Sequence, residues 1–96
     1  INRVALGTQT VSVWKNAREL GKVAAEAANA IAEGTDAATL PGVGKFSGGA
    51  KGVEVNAILL TPTPITKANV NVAIDAGHIT TDQACAGVAA GAVPGC

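Results

Sequence analysis

The sequence is short of large side chains. It has one Trp, one Phe, no Tyr and no Met, although 48% of its 96 residues are hydrophobic. Ala and Val supply most of that apolar content, and small side chains bury little area at about 25 cal/mol per Å². We therefore expect a single small domain of marginal stability, which needs a disulfide, a partner chain or the rest of a larger protein.

The sequence also has neither an excess of one charge nor a long apolar run. Seven basic residues balance seven acidic ones, so there is no basic stripe that would attract nucleic acid. The most hydrophobic run, residues 57–60, is far shorter than the roughly 20 residues that span a membrane as a helix. Because the chain starts at Ile1 and contains no Met, we expect a processed chain or a piece of a longer one, so the lack of a signal peptide or lipid-anchor motif says nothing about its compartment.

Residue types that carry catalysis are scarce. His78 is the only histidine, so neither a Ser–His–Asp set nor a zinc site is predicted. No paired carboxylates of the glycosidase kind stand out either. We therefore predict no catalytic residue, no metal, no cofactor and no enzymatic activity. His78 itself is interpreted as a solvated or capping side chain at a helix end.

The two cysteines, Cys85 and Cys96, allow two interpretations. They are either unrelated buried thiols or one disulfide that pins the C-terminal tail. A disulfide would imply an oxidising compartment, and closing this short loop would contribute roughly 3 kcal/mol in the chain-entropy model. We predict the disulfide.

Hydrophobic periodicity predicts the elements of the first two thirds of the chain. Residues 4–15 alternate and favour a strand. Residues 17–33 carry an apolar stripe at helical spacing, and Asn16 before them is a typical N-cap. The glycine-rich residues 35–52 are predicted to form a loop. Residues 53–60 favour a strand that is buried on both faces, as in α/β proteins.

The last third is predicted to be helical after a stiff connector. The two prolines of residues 61–64 hold that connector extended. Thr66 would cap a short helix, and a capping box of Thr80 with Gln83 would open a second helix that runs to about Ala90. The first of these helices would bury Val70, Ala73 and Ile74.

The junction between the first strand and the long helix is the predicted ligand site. In open α/β folds, ligands bind beyond the carboxyl ends of strands, and Lys15 stands at such an end. Its ammonium has three donors for hydroxyl oxygens, and Trp14 beside it offers a ring for an apolar sugar face. From the pattern alone, a solvated Lys15 is the alternative.

Several segments resemble a known protein family. They are residues 7–15 (GTQTVSVWK), the Ala-rich helix that ends at Gly34, and residues 59–62 (LLTP) followed by 66–70 (TKANV). In this order they are similar to the C-terminal third of xylose-type periplasmic sugar-binding proteins, which serve ABC importers and are related to the ribose-binding proteins. The resemblance extends to about His78, and the cysteine-containing tail departs from the family pattern.

The resemblance implies an α/β fold class: the C-terminal part of a two-lobed type I periplasmic-binding-protein fold with Rossmann-like lobes, incomplete in this chain. Residues 1–60 would belong to one lobe as a strand–helix–loop–strand portion. Residues 61–66 would form an interlobe crossing, with Thr61 and Pro62 at the hinge. Residues 67–96 would supply the C-terminal helices and the disulfide-pinned tail of the other lobe.

The resemblance also implies site residues and partners. Lys15 would be the main sugar contact, with Trp14 and Asn16 beside it where the family commonly has Tyr and Pro. The chain would be a fragment of a periplasmic or extracellular solute-binding protein, either secreted or anchored at the cell surface, that captures xylose or a related monosaccharide for import. Its partners would be that sugar, the remainder of the same binding protein and an ABC permease in the membrane. Since most sugar ligands would lie upstream, the fragment alone should bind no sugar well.

Two other functions stay open. The same two-lobed fold serves sugar-sensing and regulatory modules, although paired cysteines argue against a cytosolic repressor. The second of these alternatives is a stand-alone structural or interaction protein.

Overall fold

The structure, a computed structural model, describes residues 1–96 and divides them into two units. The first unit contains Ile1–Lys15 and Pro62–Cys96, and the second contains Asn16–Thr61. The elements in chain order are α1 (Asn2–Leu6), β1 (Ser12–Trp14), α2 (Ala17–Ala32), a 3-10 helix (Ala37–Thr39), β2 (Val43–Phe46), β3 (Val55–Ile58), β4 (Thr63–Ile65), α3 (Asn71–Asp75) and α4 (Thr81–Cys85).

The first unit is built on an antiparallel pair of strands. β1 pairs with β4 in a register that sets Ser12 opposite Ile65 and Trp14 opposite Thr63. Ile65 is fully buried. Val4 and Ala5 of α1 form a hydrophobic core with Val70, which directly precedes α3, and with Val93 near the C-terminus. This unit therefore has an interior of its own, which fixes the end of β1.

Helix α1 replaces the first three residues of the strand that was predicted for residues 4–15, and residues 7–11 form no regular element. It ends at Gly7, which has a φ of 84° and donates its backbone N–H to the carbonyls of Arg3 and Val4. The strand prediction was wrong there because burial of Val4 and Ala5 against distant core residues outweighs local alternation. Only residues 12–14 of the predicted strand are extended in a sheet.

Helix α3 buries the residues that were predicted to face inward. Val70 and Ala73 are fully buried, and Ile74 packs against the core cluster. The predicted cap was wrong, because α3 begins after Val70 without a side-chain cap. Thr66 instead accepts a hydrogen bond from the N–H of Ala68 in the preceding turn.

Helix α4 begins as predicted and ends earlier. Both hydrogen bonds of the capping box between Thr80 and Gln83 are present. The helix stops at Cys85 rather than near Ala90. Gly87 follows with a φ of 73°, a left-handed conformation that ends helices.

The second unit opens with the long helix that the sequence predicted. The Asn16 side chain caps α2 by accepting hydrogen bonds from the N–H groups of Arg18 and Glu19. The helix ends at Ala32, and Gly34 beyond it has a φ of 93°. None of the residues of α2 is buried, so its apolar stripe keeps part of its surface exposed to water.

A β-hairpin forms the rest of the second unit. β2 and β3 pair antiparallel, with Val43 opposite Ile58 and Phe46 opposite Val55. The predicted loop of residues 35–52 was therefore wrong at residues 43–46. The predicted burial of residues 53–60 on both faces was wrong as well, since Val55 is 48% and Leu59 70% exposed.

The first unit draws on both ends of the chain. Residues 1–15 pack with residues 62–96, because β1 pairs with β4 and α1 shares its core with Val70 and the tail. The assignment of residues 1–60 and 67–96 to two lobes stays a prediction. The chain leaves the first unit after Lys15 and re-enters it at Pro62. Both sheets have two antiparallel strands, and membership of a type I binding-protein lobe stays a prediction.

Candidate functional site

The candidate site lies at the end of β1, with Trp14 and Lys15 in the first unit, and Asn16, the next residue along the chain, opens the second unit. Trp14 is half-buried and Lys15 is exposed. The Lys15 side chain makes no ion pair or hydrogen bond to another residue of the chain. Its three N–H donors are therefore available to an oxygen-rich ligand.

Trp14 is held by the first unit on two sides. Its backbone lies opposite Thr63 in the sheet, and its ring meets the ring of His78 edge to face, with centroids 5.6 Å apart and planes at 63°. Such aromatic pairs contribute about 0.5–1.5 kcal/mol beyond the area they bury. This contact fixes the orientation of the indole ring at the end of the strand.

The Trp14 indole N–H is a buried donor without an acceptor in the chain. A buried unsatisfied donor costs about 1–3 kcal/mol, and native structures contain few of them. The indole nitrogen of Trp14 is therefore an unpaired polar atom in the interior of the first unit.

Asn16 has a structural role that limits its use in a site. Its Oδ1 accepts from the N–H of Arg18 at 3.2 Å and from the N–H of Glu19 at 3.3 Å. The carbonyl end of the amide is thus taken by the helix cap, and only the Nδ2 group is left for a ligand. The sequence identified both roles without deciding between them.

His78 is the residue near the site that the sequence analysis missed. Its side chain is exposed, and its backbone N–H donates to the carbonyl of Ala73 after α3. Local sequence carries no signal for its contact with Trp14, because the contact depends on how α3 folds back onto β1.

The predicted hinge residues Thr61 and Pro62 are exposed and carry no group that would favour a ligand site of their own. They lie at the point where the chain passes from the second unit to the first. Neither residue makes a side-chain hydrogen bond, and neither makes a backbone hydrogen bond in a turn or loop. Their role as a hinge stays a prediction.

A second feature is an apolar groove within the second unit, of about 280 Å³. Asn56 is the only polar side chain that lines it, while Leu20 is 56% and Ile31 50% exposed. With almost no hydrogen-bonding groups, the groove is suited to apolar protein surface rather than to a sugar. Its walls are formed by Leu20, Val23, Ala24, Ala27, Ile31, Ala37, Leu40, Val43, Ala57, Ile58 and Leu60.

The remaining polar groups lie at the surface. Lys22 pairs with Glu26 at 4.0 Å, and Lys45 pairs with Glu54 at 3.8 Å. No three His, Cys, Asp or Glu side chains lie close enough together to hold a metal ion. The side chains at the end of β1 are the Lys15 ammonium and the Trp14 ring, which are groups that can bind a ligand.

The tail carries the predicted disulfide, with the sulfur atoms of Cys85 and Cys96 bonded to each other. The alternative of two unrelated thiols does not apply, since neither cysteine is free. A disulfide is compatible with an extracellular location. None of the helices has the length and apolar content that crossing a membrane requires.

Comparison with known proteins found no match: no protein-family model, no curated protein and no solved structure is significantly similar to this chain. The resemblance of residues 7–15 and 59–70 to xylose-type binding proteins therefore stays a prediction.

Proposed function

We propose that this chain is a segment of a solute-binding protein that captures a monosaccharide, xylose or a related sugar, for import by an ABC permease. The observation that carries the proposal is the state of Lys15, which is exposed and unpaired directly after a strand that ends in an oriented Trp. In this proposal Lys15 is the main sugar contact, and the role of the chain is binding rather than catalysis.

The chemistry of the pair suits a sugar. The ammonium of Lys15 donates to hydroxyl oxygens, and a hydrogen bond to a charged group contributes about 1.5–3 kcal/mol. The half-buried ring of Trp14 offers an apolar surface to the C–H face of a pyranose. Asn16, which caps α2 through its Oδ1, is the third sugar contact that the family resemblance implies.

One observation favours a segment of a larger protein over a stand-alone one. The apolar groove of the second unit leaves large side chains such as Leu20 and Ile31 about half exposed to water. In the proposal, the remainder of the same binding protein covers the groove.

The course of the chain fits a hinged binding protein. Lys15 follows β1, and Pro62 precedes β4, so the chain leaves and re-enters the first unit on two strands that are hydrogen-bonded to each other. Hinges are formed by a few residues at the ends of such elements. We assign that role to Thr61 and Pro62, in a protein that acts in the periplasm or at the cell surface, a location compatible with the formation of a disulfide.

The direct test is calorimetric titration of xylose into the full-length protein from which the chain comes. Lys15→Ala should weaken binding by about tenfold or more, because the lost hydrogen bonds are charged. Lys51→Ala is the matched control, since Lys51 is an exposed lysine in the second unit. The dissociation constant of this variant for xylose should equal that of the parent protein. An equal dissociation constant for Lys15→Ala and the parent would refute the role of Lys15.

The isolated 96-residue chain gives a second arm of the same experiment. It should show no measurable heat of binding, because a lysine and a ring alone form half a site. Micromolar binding by the isolated chain would contradict the assignment of the remaining sugar ligands to another part of the protein.

A further inference from the structure

The C-terminal tail is part of the first unit's core although it contains no helix or strand after Cys85. Val93 is buried beside Val4, Ala5 and Val70, and Cys96 packs at the edge of this cluster. Backbone hydrogen bonds within the tail join the N–H of Cys96 to the carbonyl of Val93 at 3.1 Å, and the N–H of Gly91 to the carbonyl of Cys96, also at 3.1 Å.

The end of the tail lies directly against α3. A Cβ atom placed on Gly95 would be 2.9 Å from the Cδ1 of Ile74 and 3.1 Å from the Cα of Asn71. Gly95 also has a φ of 90°, a conformation that favours glycine. No other residue type would let the tail approach α3 so closely.

The other end of the disulfide is fixed to α1. Ala84 is fully buried in α4, next to Cys85. The side-chain amide of Asn2 donates to the carbonyl of Ala84 at 3.0 Å and to that of Ala86 at 2.9 Å. Cys85 is therefore held in place from the N-terminal side of the chain, independently of the tail.

Between these two anchors, the disulfide is the only covalent tie on a segment with few other restraints. Val93 is the only fully buried tail residue, and Val88 and Cys96 are partly buried against the same cluster. These three side chains are set against the conformational entropy of ordering a segment that spans 11 positions. The tail is thus seated mainly because the disulfide shortens the loop that it must close.

We propose that the Cys85–Cys96 disulfide is a redox-controlled clamp on the core of the first unit. With the disulfide formed, Val93 is held against Val4 and Val70. With the disulfide reduced, the tail detaches from α3. Helices α1 and α3 then lose the packing contacts that Val93 provides to the core. The second unit contains neither cysteine nor any residue of this core, so its structure does not respond.

The reductant is a dithiol, and the exchange balances. One thiolate of the dithiol attacks a sulfur of the Cys85–Cys96 bond and displaces the other as a thiolate, which takes up a proton. The second thiol of the reductant then attacks the mixed disulfide and becomes a cyclic disulfide. Two electrons and two protons end on the two cysteine thiols. Both cysteines are half-buried rather than enclosed, so a small dithiol reaches them.

The experiment is hydrogen–deuterium exchange on the full chain before and after treatment with dithiothreitol, with a thiol titration alongside. Reduction should expose two thiols and speed exchange in α1 and α3 by about tenfold or more, while exchange in α2 stays within about twofold. Unchanged exchange in α1 and α3 after complete reduction would overturn the clamp. An equal increase in α2 would overturn its restriction to the first unit, and two free thiols before reduction would overturn the disulfide.

Three substitutions separate the clamp from a general loss of stability. Replacing both cysteines by Ser should reproduce the reduced pattern and abolish the response to dithiothreitol. Gly95→Ala should loosen α3 in the oxidised protein, because the added methyl group meets Ile74 and Asn71. Gly91→Ala is its control, since Gly91 has a similar φ of 74° and nothing within 4 Å of its Cβ position. Equal effects of the two glycine substitutions would contradict a seat on α3.

If the double Ser variant does not fold, Val93→Ala keeps the proposal testable. It leaves both cysteines intact but removes the side chain that the clamp holds in the core. Oxidised Val93→Ala should show faster exchange in α1 and α3, as the reduced parent does. No change in those helices would overturn the role of Val93.

Discussion

The two units of this chain use similar apolar residues in opposite ways. In the first unit, Val4, Ile65 and Val70 have no exposed surface. In the second unit, Leu40 is the only buried hydrophobic residue, and the long, well-capped helix α2 buries nothing fully. Amphipathic patterning thus formed a helix in both units, but an interior exists only where distant segments return to cover it.

The comparison separates local from tertiary stability. Helices α1, α3 and α4 are five residues each, too short to persist alone in water, so packing must hold them. Helix α2 has a side-chain cap and 16 residues, which is just above the length of about 12–15 residues below which isolated helices are marginal in water. We infer that the end of β1, with Trp14 and Lys15, is held by a closed core, whereas the second unit presents an apolar face.

The largest expected contrast comes from the same substitution in the two units. Ile65→Ala should destabilise the first unit by about 2–5 kcal/mol, because it leaves a cavity at a fully buried site. Ile31→Ala should change stability by less than about 1 kcal/mol, since Ile31 is 50% exposed and Ala favours helix. Urea unfolding followed by residue-resolved amide signals measures both.

The milder Ile65→Val guards against complete unfolding of the first unit and should cost about 0.5–1.5 kcal/mol. Equal losses for Ile65→Ala and Ile31→Ala would show that the second unit has a core after all.

Removing the N-cap of one helix in each unit should have a smaller effect. Thr80→Ala and Asn16→Ala each remove a side-chain cap, which costs about 1 kcal/mol. The loss at Thr80 should spread to α1, because Ala84 on α4 is buried and its carbonyl accepts from Asn2. The loss at Asn16 should stay within α2. Thermal unfolding and amide exchange distinguish these outcomes, and spreading from Asn16 alone would reverse the comparison.

Breaking a surface ion pair should have the smallest effect. Lys22 and Glu26 are 64% and 65% exposed and lie 4.0 Å apart. Lys22→Ala should therefore change the free energy of unfolding by no more than about 0.5 kcal/mol. In high salt the effect of Lys22→Ala should be smaller still, because salt screens the attraction between the two exposed charges. A loss above about 1 kcal/mol would mean that the pair is buried in solution by another surface.

The sequence predicted the features that depend on nearby residues. Helix α2 with its Asn16 cap and the capping box of Thr80 and Gln83 follow from local hydrogen bonding. It did not predict α1, because Val4 and Ala5 are buried by Val70 and Val93, far along the chain. Strand β2 was missed because four residues with one glycine carry no clear period, whereas β3 lies within the strand predicted for residues 53–60.

The candidate site shows the same division. The position of Lys15 after a strand was readable from the pattern, and so was the capping role of Asn16. The ring contact of Trp14 with His78 was not, because it depends on the tertiary arrangement of α3 and β1. The apolar stripe of α2 was readable from the sequence, and only the structure shows that none of its residues is fully buried.

Hydrogen–deuterium exchange on the untreated, oxidised chain tests the contrast between a closed and an open unit most directly. The amides of α3 and of the paired strands β1 and β4 should be protected well beyond those of α2, by about tenfold or more, because only they belong to a unit with a packed interior. Protection of α2 equal to or greater than that of α3 would contradict the account.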